Sequence, residues 1–75
     1  MHIQIKLFAT LNKYTPHNSE HYPVPDGITA DELATRLDLP VDQVKLIFIN
    51  GQKCAPGTRL KQDDRIGIFP PVGGG

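Results

Sequence analysis

The stretch Lys45-Leu46-Ile47-Phe48-Ile49-Asn50-Gly51-Gln52-Lys53-Cys54 decides the fold of this 75-residue chain. Its first half is an almost continuous apolar run, long enough for a strand and too short for a helix. Asn50-Gly51 follows at once, and Asn-Gly is the strongest short hairpin signal because both central residues of a type I′ turn need a positive φ. We therefore predict a β-hairpin in which residues 52–54 return antiparallel to residues 45–49.

The segment before the hairpin predicts one short helix. Thr29-Ala30-Asp31-Glu32 is a capping box, in which the Thr29 hydroxyl accepts from the amide of Glu32 and the Glu32 carboxylate accepts from the amide of Thr29. Leu33, Ala34 and Leu37 then form an apolar stripe at helical spacing, and Asp38-Leu39-Pro40 ends it. A one-faced helix of about two to three turns is stable only when that face packs on a sheet.

Strands at both ends of the chain complete that sheet. Ile3, Ile5 and Leu7 alternate with polar residues, and residues 65–69 alternate in the same way. Residues 11–20 are polar and predict a loop or a frayed turn. Residues 21–24 predict a second strand that Pro23 confines to a sheet edge or ends early. The order strand, strand, helix, strand, strand, strand predicts an α+β domain over residues 1–69, in which a four- or five-stranded sheet covers the helix.

The remaining stretch, Pro70-Pro71-Val72-Gly73-Gly74-Gly75, is predicted to project as a flexible tail. Two prolines stop the sheet, and three terminal glycines have no side chains to pack. Because glycine has no Cβ, such a tail can enter a channel too narrow for any side chain and present its terminal carboxylate inside a partner enzyme. The alternative is a frayed end without function or a remnant of recombinant expression.

Composition excludes several classes of function. The chain has 8 basic and 8 acidic side chains, which argues against nucleic acid and membrane partners, and no apolar run approaches the roughly 20 residues of a membrane span. A start without a signal peptide and a single cysteine predict a cytoplasmic protein. A chain this short buries about 60% of its unfolded surface, which leaves little room for a catalytic cleft, so we do not expect an enzyme acting alone.

Two aromatic residues fall in the polar phase of their strands. Phe8 shares its phase with Lys6, and Phe69 shares its phase with Arg65 and Gly67. If the first and last strands are neighbours, the two rings form one exposed apolar patch beside the tail, and such patches mark partner surfaces. The alternative is that a bulge or a strand end folds each ring inward.

These residues carry a family resemblance. Ile66-Gly67-Ile68-Phe69-Pro70-Pro71-Val72-Gly73-Gly74-Gly75 resembles the C-terminal signature of the small, sulfur-carrying subunit of molybdopterin synthase. That subunit belongs to the MoaD/ThiS-like group of ubiquitin-like sulfur carriers, which includes the thiamine thiazole carrier. Leu7-Phe8-Ala9, Phe48-Ile49-Asn50-Gly51 and Leu60-Lys61-Gln62-Asp63-Asp64-Arg65 are also similar to that family. The resemblance implies a β-grasp fold.

The resemblance also implies a function centred on Gly75. An E1-like adenylating enzyme would use ATP to convert the Gly75 carboxylate to an acyl-adenylate, and a persulfide sulfur donor would convert that to a thiocarboxylate. The large subunit of molybdopterin synthase would then pass the sulfur to a pterin precursor, so this chain would be the carrier subunit of a sulfurtransferase complex and bind no cofactor itself. The implied tail residues are Pro70, Pro71, Val72, Gly73 and Gly74, and the implied docking residues are Phe8, Phe69, Arg65 and Gly67.

Three alternatives to the molybdopterin pathway remain open, and in the last of them the tail is inert. The chain could be a ubiquitin-like modifier joined to lysine amines, a sulfur carrier for thiamine thiazole, cysteine or tungsten cofactor synthesis, or a plain β-grasp binding module. Cys54 is interpreted as a small strand residue, with a sulfur relay as its alternative. His17 and His21 lie four residues apart but lack the further ligands of a metal site, so no metal is expected.

Overall fold

The computed structural model describes residues 1–71, and within them the chain forms one mixed sheet and one α-helix. The strands are β1 (His2–Leu7), β2 (Tyr22–Pro23), β3 (Leu46–Ile49), β4 (Gln52–Cys54) and β5 (Arg65–Phe69). The helix α1 spans Ala30–Arg36, and 3-10 helices span Ala9–Tyr14, Ser19–His21 and Val41–Gln43. This order of elements confirms the α+β prediction.

The sheet order is β2-β1-β5-β3-β4. The central pair, β1 and β5, is parallel, whereas β1 with β2, β3 with β4 and β3 with β5 are antiparallel. Strand β2 lies at an edge, where the missing N–H of Pro23 costs no ladder hydrogen bond. The first and last strands are therefore neighbours, although about 60 residues separate them in the chain.

One face of the sheet packs on α1 and forms the core. Alternate residues of β1, β3 and β5 point to this inner face, and Leu33, Ala30 and Ala34 of α1 cover them. Leu33 and Ile68 are fully buried. Each large aliphatic side chain removed from water in this way contributes roughly 1.5–3 kcal/mol, which outweighs the poor intrinsic stability of so short a helix.

The polar stretch of residues 11–20 was predicted as a loop or a frayed turn, and that prediction was incomplete. Residues 9–14 and 19–21 form 3-10 helices. Leu11 explains the first one, because its side chain is only 1% exposed and anchors this segment on the core. A single buried leucine among polar neighbours shows no helical periodicity, so the pattern did not indicate it.

The capping box at the start of α1 is present as predicted. The Glu32 N–H donates to Thr29 Oγ1 at 3.1 Å, and the Thr29 N–H donates to Glu32 Oε1 at 3.0 Å. The hydrogen bonds from the backbone and side chain of Thr29 lower the pKa of Glu32, and attraction to Arg59 adds a smaller effect in the same direction. The ionised Glu32 therefore stabilises the first turn of the helix.

The helix ends in a Schellman motif without glycine. Asp38 takes a positive φ of 59°, its N–H donates to Thr35 O at 3.0 Å, and the Leu39 N–H donates to Ala34 O at 3.1 Å. This is the six-to-one and five-to-two bonding of the motif, in which glycine is the usual residue at the position of Asp38. Aspartate adopts this left-handed conformation more readily than most residues, but steric repulsion of its Cβ makes it less favourable there than glycine.

The β3–β4 turn is held to the start of β5 by a pair of side chains that we call the Asn50–Asp64 clip. Asn50 and Gly51 have φ values of 53° and 83°, as the predicted type I′ turn requires. Asn50 Nδ2 donates to Asp64 Oδ1 at 2.9 Å, Asn50 Oδ1 accepts from the Arg65 N–H at 3.0 Å, and Asp64 Oδ2 accepts from the Lys61 N–H at 2.8 Å. Asp64 is only 8% exposed, so these bonds satisfy a buried carboxylate.

Candidate functional site

The face of the sheet turned away from α1, which we call the outer face, carries the residues that the sequence singled out. Strand alternation places half of each strand there, and the Phe8 N–H donates to Ile68 O at 3.1 Å, which extends the β1–β5 ladder to Phe8. The residues of β1, β3, β4 and β5 assigned to this face by alternation and register are Gln4, Lys6, Leu46, Phe48, Lys53, Arg65, Gly67 and Phe69.

Three phenylalanines meet on the outer face, and we call them the aromatic triad: Phe8, Phe48 and Phe69. The rings of Phe8 and Phe69 stack with centroids 4.0 Å apart and planes only 3° from parallel. Phe48 meets Phe69 edge-on, with centroids 5.4 Å apart and an interplanar angle of 76°. All three are half-buried, because each ring covers part of its neighbour. The rings therefore form one apolar surface outside the core instead of folding inward.

Gly67 lies beneath this surface and makes room for it. A Cβ built on Gly67 would lie 3.3 Å from Phe8 Cε2, closer than most carbon contacts allow. The missing side chain lets the Phe8 ring lie across β5 and reach Phe69. A shallow concavity of about 390 Å³ opens beside the rings, and its lining is Lys6, Phe8, Phe48, Gly51, Arg65, Ile66, Gly67 and Phe69.

The chain leaves the sheet next to the aromatic triad. The Lys45 N–H donates to Phe69 O at 2.9 Å, which holds the last residue of β5 in place. Pro70 follows and is buried against the domain, and Pro71 is exposed. The tail residues Val72, Gly73, Gly74 and Gly75 lie outside the described residues. The described chain thus places the base of the tail next to Phe69 of the outer face.

The structure also brings in two residues that the sequence did not assign to the site. Phe48 pairs with Gly67 across the β3–β5 ladder, and Lys6 pairs with Gly67 on the other side. Phe48 alternates with Ile47 and Ile49, which would assign it to the opposite face of the strand. The alternation was not recognised in the sequence, because all of these residues are apolar and the run is continuous. Lys6 had no signal beyond sharing the phase of Phe8.

The other candidates lie elsewhere. Cys54 is half-buried in β4, where its thiol contacts Gln52 O at 3.3 Å, and its relay role stays untested. His21 stacks on His2 with ring centroids 3.8 Å apart, whereas His17 is exposed. Within residues 1–71 no three side chains of the metal-binding types come together. No helix in the described part of the chain is long and apolar enough to cross a membrane.

Comparison with known proteins adds a family and a fold. The model of the ThiS family matches residues 5–75, which is nearly the whole chain and includes its C-terminal glycines. No curated protein shows significant similarity to the sequence.

The similar solved structures include proteins from Haloferax volcanii and Pyrococcus furiosus. SAMP1 from Haloferax volcanii is 22% identical over 100% of both chains with a TM-score of 0.68, and a second structure, small archaeal modifier protein 1 from H. volcanii, is 22% identical over 95% of this chain and 98% of that one with a TM-score of 0.69. A putative molybdopterin converting factor, subunit 1, from Pyrococcus furiosus is 21% identical over 95% of this chain and 98% of its own, with a TM-score of 0.71. At these identities the likeness shows the fold, which is the ubiquitin-like β-grasp that the family resemblance implied.

Proposed function

The chain belongs to the ThiS family, and from this premise we propose that it is a sulfur carrier whose terminal Gly75 becomes a thiocarboxylate for molybdopterin synthesis. The observation that carries the proposal is that the family match runs through the glycines to residue 75. The aromatic triad at the base of the tail supports it, because a carrier must hold its partner enzyme close to its reacting end. The chain supplies the carboxylate, and the general acids and bases belong to its partners.

The chemistry follows from the weak electrophilicity of a carboxylate. A Gly75 carboxylate oxygen attacks the α-phosphorus of ATP on an E1-like enzyme, pyrophosphate leaves, and a mixed anhydride with AMP forms. The terminal sulfur of a donor persulfide then attacks the acyl carbon and expels AMP. A thiol cleaves the resulting acyl disulfide, which leaves a thiocarboxylate on Gly75 and a disulfide on the donor side.

Molybdopterin is the favoured acceptor pathway. The stretch Phe69-Pro70-Pro71-Val72 before the glycines resembles the molybdopterin branch, and one similar fold is a putative molybdopterin converting factor subunit. A large synthase subunit would then receive the tail and pass sulfur to the cyclic pterin precursor. Hydrolysis would return the Gly75 carboxylate for another cycle.

Protein modification is the second candidate, favoured by the likeness to SAMP1 and to small archaeal modifier protein 1. The same acyl-adenylate of Gly75 would react with a lysine amine of a target protein, either directly or after transfer to a thiol. An isopeptide bond would form and AMP would leave. The two candidates share the activation step and differ only in the nucleophile that follows.

The test is the mass of the C-terminal tryptic peptide after incubation with an E1-like activating enzyme, ATP and a sulfide donor. Trypsin cuts after Arg65, and residues 66–75 contain neither methionine nor cysteine. Replacement of one oxygen by sulfur on this peptide cannot be confused with oxidation of Met1 or Cys54. We expect the replacement in the wild-type chain and none when Gly75 is deleted.

Two further experiments test a relay through Cys54 and the modification of target lysines. A Cys54→Ser variant should be labelled as well as the wild type, and loss of labelling would instead support a relay through that thiol. Incubation with a lysine-rich target distinguishes modification, because its digestion would leave residues 66–75 branched from target lysines. An active activating enzyme that leaves the peptide unshifted would refute the sulfur-carrier proposal.

A further inference from the structure

The zero net charge of the chain conceals a separation of charge in the fold. The strands contain three cations, Lys6, Lys53 and Arg65, and no aspartate or glutamate. All acidic residues lie in α1, the 3-10 helices and the connecting segments: Glu20, Asp26, Asp31, Glu32, Asp38, Asp42, Asp63 and Asp64. The sheet therefore carries only positive charge on its side chains.

The strand register places these cations around the aromatic triad. Lys6 pairs with Gly67, Gly67 with Phe48, and Phe48 with Lys53, so one row across the sheet has a lysine at each end and an aromatic ring between them. Arg65 precedes Gly67 by two residues and lies on the same face. All three cationic side chains are exposed, and Lys6 and Arg65 line the concavity beside the rings.

No described carboxylate neutralises these cations. Within residues 1–71 the one ion pair joins the Met1 amino group to Asp26 at 3.5 Å, at the opposite end of β1 from Phe8. Glu20 is the acidic residue that lines a groove together with Lys6 and Arg65, but it forms no ion pair with either. Within residues 1–71, none of the three cations is therefore held in an ion pair, and each is exposed to an external carboxylate.

We infer that the outer face docks a protein surface with an apolar side chain at its centre and carboxylates at its rim. The apolar group would enter the concavity beside the aromatic triad, and the carboxylates would meet Lys6, Lys53 and Arg65. A purely apolar partner would remove water from the cations without giving them a new partner, and this desolvation costs free energy. Carboxylates at the rim of the partner would offset that cost and would increase the rate of association. This inference rests on the proposed function for the existence of a partner enzyme and adds the chemistry of its surface.

A protein partner fits this face better than single-stranded nucleic acid does. Base recognition on a sheet uses aromatic rings with free faces on which bases stack. Here the Phe8 and Phe69 rings lie against each other at 4.0 Å, so no base can enter between them. Three cations also provide little of the charge that a phosphate backbone selects.

The test is an NMR titration with two peptides of the same Leu-Phe centre, one flanked by glutamates and the other by lysines. At low salt we expect the glutamate peptide to shift the amides of Phe48 and Gly67 and to bind about tenfold more tightly than the lysine peptide. Raising NaCl from about 0.01 M to about 1 M shortens the screening length from about 30 Å to about 3 Å and should remove most of the difference. Because the assay needs no activating enzyme, its failure is distinct from failure of the sulfur-carrier proposal.

Two matched variants test whether the cations of the outer face attract the glutamate peptide. Arg65→Gln removes one cation from the outer face, and Arg36→Gln removes one from α1 on the opposite side of the sheet. We expect the first to weaken the glutamate peptide roughly threefold and the second to leave its affinity unchanged. Both side chains are exposed, and an unaltered amide spectrum outside the substituted site confirms that each variant is folded.

Each other outcome overturns the inference. Equal affinity for both peptides would mean that the face does not select charge, and no binding of the glutamate peptide would mean that it is not a docking face for this chemistry. Tighter binding of an oligothymidylate would assign the face to nucleic acid. Shifts on α1 and the outer face that grow with protein concentration alone would assign it to a second copy of this chain.

Discussion

Exchanging the two partners of the Asn50–Asp64 clip tests the polar network that joins the β3–β4 turn to β5. In Asp64→Asn, one side-chain oxygen still accepts from the Lys61 N–H, but its amino group then faces Asn50 Nδ2 across a former 2.9 Å hydrogen bond. In Asn50→Asp, two carboxylates face each other without a donor between them. The double variant Asn50→Asp/Asp64→Asn restores the bond with its direction reversed, while residue 50 still accepts from the Arg65 N–H.

The magnitude follows from one hydrogen bond to a charged acceptor. Such a bond contributes about 1.5–3 kcal/mol, so each single variant should lose about 2 kcal/mol of unfolding free energy, and Asn50→Asp more because of repulsion. The turn itself tolerates the change, since Asp-Gly also favours type I′ turns. The double variant should lie within about 1 kcal/mol of the wild type, which requires a coupling free energy of about 3 kcal/mol.

Urea unfolding of the four proteins measures this coupling directly. The urea midpoint should shift while the m-value stays unchanged. In thermal unfolding, each lost kcal/mol should lower the melting temperature by about 4–8 °C in a domain of this size. Additive losses in the double variant would refute the reasoning, because they would show that Asn50 and Asp64 contribute independently of the bond between them.

Three further outcomes are expected. Gly67→Ala should push Phe8 away from its stacked position and reduce the ring-current shifts of the stacked rings, whereas Gly57→Ala, where nothing lies within 4 Å of the new carbon, should not. Because the folded pKa of Glu32 lies below its ordinary value of 4.5, its contribution is complete above that value and is lost as the pH falls through the folded pKa. Glu32→Gln should therefore flatten the acid limb of a stability–pH curve measured by urea unfolding, and an unchanged limb would contradict this assignment. Asp38→Gly should raise the unfolding free energy by up to about 1 kcal/mol, because φ is 59° there, and a lower melting temperature would refute that.

Most of the fold was predictable because its decisive signals are local. The capping box needs only Thr29 and Glu32 three residues apart, and the hairpin needs only Asn50-Gly51 between two strands. The outer-face positions of Phe8 and Phe69 followed from the same kind of reasoning, because alternation within one strand assigns each side chain to a face.

The features that escaped prediction depend on residues distant in the chain. The burial of the Asp64 carboxylate depends on the hydrogen bond from Asn50, and the anchor role of Leu11 depends on the core beneath it. A polar residue in a turn shows no sequence signal that distinguishes a buried hydrogen-bonded group from a solvated one.

The sequence by itself determined the strands and α1, their order along the chain and the face on which Phe8 and Phe69 lie. Only the tertiary structure decided that β5 lies between β1 and β3, and this placed Lys6, Phe8, Phe48, Arg65 and Phe69 on one surface. The physical reason is that the two-residue repeat of a strand is a local property, whereas the lateral order of strands is chosen by how the whole inner face packs against α1. Both the aromatic triad and the cations around it are consequences of that packing.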